Sequence, residues 1–168
     1  CSQDAENELV PSAQVVNFDV NISKTRTVTE GKVTSFVEDD QIGVFGVKRG
    51  ASEVLNQNVM YAYTGNGKWL ADKSITYPLD NSPINFYAYY PYSKNINPTA
   101  INYDASKSMY DLMLAKTVDL ASSSGTVQLL FKHQLTLVDV KLTSGGGKNI
   151  EMKNVIPACT FNLAQIGT

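Results

Sequence analysis

The sequence holds one histidine and two cysteines among 168 residues. Metal cages and thiol relays need several such ligands at set spacings, so neither chemistry has its material here. Fourteen basic residues face sixteen acidic ones, for a net charge of -2. A nucleic-acid groove needs a basic excess to displace counterions from phosphates, and none is present. No run of about 18 apolar residues occurs, so no segment of this sequence crosses a membrane as a helix. Gly145-Gly146-Gly147-Lys148-Asn149 lacks the GxxxxGK[ST] spacing of a phosphate loop and reads as a hairpin connection. Glu38-Asp39-Asp40 lacks calcium-loop spacing and reads as a solvated turn. His133 has no Ser, Cys or second His at motif spacing. These absences argue against an enzyme, and nothing in the sequence asks for a cofactor or a metal.

What is present is strand material. Hydrophobic residues make up 43% and charged residues 18%, a globular balance rather than a disordered one. A single domain of this length hides roughly 68–70% of its unfolded surface, enough for a core without staples. Valine is the commonest apolar residue, Thr, Ser and Asn dominate the polar ones, and there are nine tyrosines. β-Branched and aromatic side chains suit pleated, half-buried surfaces. Val16, Phe18, Val20 and Ile22 alternate with Asn17, Asp19 and Asn21, a strand with one wet face. Further strands are expected at Ile42–Val47, Val59–Tyr63 and Ile84–Tyr90, the last halted by Pro91. Gly65-Asn66-Gly67 supplies a tight turn before Lys68-Trp69-Leu70. Thr126–Phe131 and Leu135–Leu142 form a pair or one bent strand, and Ile150–Ile156 and Thr160–Leu163 follow. The one helical candidate is Ser106–Ala115, where Met109, Leu112 and Met113 fall at i, i+3 and i+4. Eight or so short strands separated by turn signals predict an all-β sandwich with at most one short helix.

Several residues stand out chemically. The chain starts Cys1-Ser2, as a lipoprotein does once its signal sequence is cut, or as any chain does whose numbering begins at an arbitrary boundary. An acylated Cys1 would anchor the protein by two or more chains, each buried methylene contributing about 0.8 kcal/mol. Residues 1–13, acidic at Asp4, Glu6 and Glu8, then form a solvated tether, and 14–168 form the domain. Arg26, one of only two arginines, lies in an exposed Thr-rich stretch just after the first strand, within reach of a protease. Cys159 reads as a small buried hydrophobe, and His133 as a half-buried, hydrogen-bonded side chain. In the run from Phe86 to Tyr92, alternation puts Phe86, Ala88 and Tyr90 on the core and Tyr87 and Tyr89 on the other face. Those two rings are also candidates for stacking on a sugar.

Taken in order, certain short motifs resemble the fimbrillin-like family, lipoprotein pilins and related surface proteins of anaerobic gut and oral bacteria. They are Thr25-Arg26-Thr27, Asp40-Gln41-Ile42-Gly43-Val44-Phe45 and Tyr77-Pro78, then Ile84-Asn85-Phe86-Tyr87-Ala88-Tyr89-Tyr90-Pro91-Tyr92. Asp111-Leu112-Met113-Leu114-Ala115 and Val127-Gln128-Leu129-Leu130-Phe131-Lys132-His133-Gln134-Leu135 complete the set. The resemblance covers about Val15 to Leu163 and is to an N-terminal pilin domain, the family's usual second sandwich being absent from this sequence. It implies a transthyretin-like β-sandwich of about 7–8 mainly antiparallel strands. It also implies lipidation at Cys1 and a precursor anchored in the outer membrane. An arginine-specific (trypsin-like) protease then cuts between Arg26 and Thr27, and the strand over 14–22 departs. A neighbouring subunit fills the vacated slot by strand exchange, giving a surface fimbrium. Burial of Val16, Phe18, Val20 and Ile22 sets a gross upper bound of ~6–12 kcal/mol on what that first strand contributes. The alternative reading is a non-polymerising, glycan-binding or adhesive surface lipoprotein that meets a host or bacterial ligand through Tyr87 and Tyr89. A hydrolase would need a nucleophile–base pair that the sequence does not display.

Overall fold

The computed structural model describes residues 12–23, 35–51, 54–104, 111–135 and 158–163. Within them the strands are β1 (Phe18–Ile22), β2 (Gln41–Lys48), β3 (Val54–Tyr63), β4 (Trp69–Ala71) and β5 (Ile84–Tyr90). They continue with β6 (Ile101–Asp104), β7 (Met113–Leu120), β8 (Val127–His133) and β9 (Ala158–Phe161), with one 3₁₀ turn at Ser122–Ser124. Seven strands join one sheet in the order β1-β8-β7-β5-β2-β3-β4, and β6 pairs with β9. All pairings are antiparallel except β1 with β8, which is parallel. The all-β expectation holds.

The sheet curls until its ends meet. Phe18 on one edge strand stands edge-on to Tyr61 of β3, with ring centroids 5.3 Å apart. Phe36 fills the space between Trp69 of β4 and Phe131 of β8, at 5.0 and 5.6 Å. The stretch before β1 also bridges to the segment after β4, Val15 pairing with Thr76. Right-handed strand twist makes such coiling natural, and closure buries one continuous apolar trough. That inner core includes Ile42, Val44, Tyr61, Phe86, Ala88, Val127, Leu129 and Phe131.

A second, smaller core lies on the outer face. Phe45, Tyr89, Ile101, Leu112, Leu114 and Leu163 pack there, with Ile101 coming from β6. The central strands are therefore buried on both sides. Ile84, Phe86, Ala88 and Tyr90 of β5 face inward, while Tyr89 is buried in the outer cluster and Tyr87 packs half-buried against it. Strands covered on both faces lose the apolar–polar alternation and read as continuous apolar runs.

This explains one correction. The helical candidate at Ser106–Ala115 fails over its described end, because Met113, Leu114 and Ala115 belong to β7. Met113 and Ala115 join the inner core and Leu112 and Leu114 the outer one. Leu112 and Met113 are thus buried on opposite faces of the sheet, a two-sided burial that a short window cannot separate from helical periodicity. β8 ends at His133, and Leu135, beyond the strand, packs on the outer cluster. The glycine turn is present, with positive φ at Gly65, Asn66 and Gly67 and Lys68 N donating to Gly65 O at 3.0 Å. The expectations at Gly145-Gly146-Gly147, Ile150–Ile156 and the far part of Leu135–Leu142 lie outside the described residues, as does 106–110.

Candidate functional site: the first strand and its slot

β1 keeps the alternation read from its sequence. Asp19 and Asn21 are exposed, and Phe18, Val20 and Ile22 are half-buried against the inner core. Val16, just ahead of the strand, is buried at 3% exposure. Phe18 makes the ring contacts, edge-on to both Tyr61 and Phe86, the latter at 5.2 Å. Such edge-to-face pairs add about 0.5–1.5 kcal/mol each beyond area burial. Because three of the four apolar side chains are only half-buried, the burial gain falls below the upper bound given by full burial.

The backbone is held differently along its length. Tyr77 N donates to Gln14 O at 2.9 Å and Val16 N to Ile75 O at 2.8 Å, clamping the entry to the strand on one side. From Asn17 onward the bonds go to the opposite side. Val127 N donates to Asn17 O at 2.8 Å and Ser23 N to Phe131 O at 2.7 Å. With the register running from Phe18↔Val127 to Ile22↔Phe131, the odd-numbered residues aim their polar backbone at β8. Phe18, Val20 and Ile22 aim theirs away from it, and β1 is the last strand of its sheet among the described residues. The strand is thus an edge element whose side chains are structural and whose ladder is one-sided. Edge strands of this kind are the ones a sheet can exchange.

The structure sets Val16, Phe18, Val20 and Ile22 against one trough, although β1 begins at Phe18 and not at residue 14 as expected. Cys1, Arg26 and Thr27 lie outside the described residues, as do residues 1–11 of the acidic tether. What the sequence did not reveal is the clamp at Ile75–Tyr77 and the parallel partner β8. Both contacts join segments too far apart for any local periodicity to report.

The tyrosine platform is corrected. Tyr89 is fully buried, its hydroxyl 2.7 Å from Asn58 Oδ1 and 2.8 Å from Ser93 O, and it accepts from Ser93 N at 3.1 Å. Burial pushes its phenol up to about 12, against the lowering effect of the Ser93 backbone. Tyr61 is likewise raised to about 12, mainly by burial. Gly43 explains the fit, because a Cβ there would stand 2.2 Å from the Tyr89 ring. A ring wedged beneath β2 cannot stack on a sugar. His133 has the bonded character expected, with Nδ1 paired to Asp111 Oδ2 and a side chain 6% exposed. Cys159 is a free, half-buried thiol. Among the described residues no group of three or more His, Cys, Asp or Glu could hold a metal ion.

The described residues form an all-β domain whose first strand is an edge element packed on the core. The fimbrillin-like family model matches residues 25–168, and the chain belongs to that family. This places it among structural and adhesion proteins rather than enzymes. It is 31% identical to a provisionally named fimbrium tip subunit, Fim1C of Bacteroides ovatus, over 86% of this chain and 32% of that protein. It is 27% identical to a provisionally named fimbrium subunit, Fim1C of Bacteroides uniformis, over 99% of this chain and 61% of that one. The chain therefore spans less than two thirds of either relative's length. A solved structure of a provisionally named cell adhesion protein from Bacteroides uniformis superposes with a TM-score of 0.54 at 26% identity. That match covers 71% of this chain and 49% of the other. A second such protein, from Bacteroides ovatus, gives 0.52 at 16% identity over 73% and 53%, a likeness of fold alone.

Proposed function

We propose that this chain is part of a cell-surface fimbrial subunit that polymerises by exchange of its first strand. The precursor is a lipoprotein anchored in the outer membrane through Cys1. An arginine-specific protease cuts between Arg26 and Thr27, releasing the segment that carries β1, and a strand from a neighbouring subunit takes its place. The observation that carries this reading is the one-sided ladder of β1, combined with side chains that fill the core. Removing such an element leaves β8 with unsatisfied backbone groups beside an apolar trough, and both needs are met by one incoming strand. The slot asks for apolar side chains at alternate positions, with a large ring where Phe18 sits between Tyr61 and Phe86. Family membership and the fimbrial names of the relatives support the same reading.

The test is Arg26→Ala in the intact gene, with subunit ladders followed on cells. Loss of the ladders, with a lipidated monomer retained in the outer membrane, is expected. Ladders unchanged by the substitution would refute processing at this bond. Trypsin treatment of the purified chain should yield a new N-terminus at Thr27, and a domain resistant there would count against it equally.

A further inference from the structure

We propose that Tyr77 sets how firmly the slot holds its resident strand, its hydroxyl making that strand easier to release. The inference rests on the exchange reading above and supplies its release step. Tyr77 is 2% exposed and belongs to the inner core, against which Phe18 also packs. Its hydroxyl oxygen is buried and has no hydrogen-bond partner. Tyr89 and Tyr90 are buried too, but their hydroxyls are bonded. That of Tyr89 meets Asn58 and Ser93, and that of Tyr90 donates to Asp40 Oδ1 at 3.0 Å.

The orphan lies where the strand docks. Val16 N donates to Ile75 O and Tyr77 N to Gln14 O, so the entry to β1 runs directly beside Tyr77. Val16, Ile75 and Tyr77 all have buried side chains. Phe18 and Tyr77 both stand edge-on to Phe86, at 5.2 and 6.5 Å. Docking of residues 14–22 therefore closes the trough around this phenol. Gln14, Asn17, Asp19 and Asn21 are exposed, and the side chains turned to the trough are Val16, Phe18, Val20 and Ile22. None of those four can bond a hydroxyl.

A hydroxyl that is hydrated before docking and unpartnered after it opposes the step. The opposing factor is about 5- to 150-fold in the docking equilibrium. Burial of the four apolar side chains outweighs it, so the strand stays in place while its chain is whole. It is nonetheless held less tightly than a phenylalanine at position 77 would hold it.

The experiment is native-state hydrogen exchange on the intact chain, comparing the parent with Tyr77→Phe and Tyr90→Phe. Three amides report on the strand: Val16 N, bonded to Ile75 O, Ser23 N, bonded to Phe131 O, and Val127 N, bonded to Asn17 O. In Tyr77→Phe their protection should rise about tenfold, and the urea midpoint should rise with it. Tyr90→Phe loses a bonded hydroxyl, so its midpoint should fall. A Tyr77→Phe midpoint at or below the parent's would show the hydroxyl bonded to an internal water. Unchanged protection at the three amides would show that it stays buried when the strand lifts. Either result overturns the proposal. Neither measurement reads assembly, so unchanged ladders in Arg26→Ala would refute the exchange alone and leave the hold of Tyr77 on the strand standing.

Discussion

Replacing Phe18 by Ala tests whether β1 is an integral part of the core. In the full chain this ring packs edge-on against Tyr61 and Phe86 at 5.3 and 5.2 Å while its backbone sits on an open edge. Truncating a fully buried Phe costs about 3–5 kcal/mol. Phe18 is half-buried, which lowers the transfer contribution, but both ring contacts vanish with it. The expected loss is therefore about 2–4 kcal/mol, a large share of the 5–15 kcal/mol typical of a domain. Urea denaturation of the purified chain measures it as a lower midpoint at unchanged slope. Asp19→Ala, on the exposed face of the same strand, is the control and should stay within about 0.5 kcal/mol. A synthetic peptide of residues 14–23 supplied to a chain starting at Thr27 reads the same contact between molecules. There, Phe18→Ala in the peptide should weaken capture by about 30-fold or more, the equivalent of the lower bound above. A Phe18→Ala chain as stable as the control would show that the strand merely decorates the domain, and the exchange mechanism would lose its driving force.

Gly43→Ala should destabilise by about 1–3 kcal/mol, since its Cβ would meet the Tyr89 ring at 2.2 Å beneath a packed strand. Thermal melts compare it with Gly67→Ala, where the space is open and the cost comes from the positive φ of 75° instead. Stability should also fall at alkaline pH. Tyr61 and Tyr89 are raised to about 12 from an unfolded value of 10.0, so the folded state favours the neutral phenols. Their contribution is whole below the unfolded value and is lost as pH rises from there through about 12. Urea midpoints level up to about pH 9 and falling above 10 are expected, with the fall reduced in Tyr89→Phe. A midpoint that stayed level through pH 11 would contradict the burial of both hydroxyls.

The elements easiest to read from sequence were those with one buried face. In β1 the wet residues Asp19 and Asn21 separate the apolar ones, so period two was visible and the core-facing set came out whole. The glycine turn at 65–67 was equally plain, because positive φ is demanded locally and only a few residues meet it. The family resemblance came from short motifs in order, and the family match bears it out.

Sequence alone thus determined the strand class, the turns and which face of β1 seeks apolar cover, all consequences of backbone geometry acting over a few residues. Tertiary structure decided the partners. That Phe18 lies beside Val127 and runs parallel to it follows from how the sheet curls, and no local pattern encodes a contact across more than a hundred residues. The same curl, with β6 laid over the outer face, buried Tyr89 on a side that alternation marked as outward. Periodicity records how an element is dressed; which neighbour covers each face depends on the packing of the whole chain.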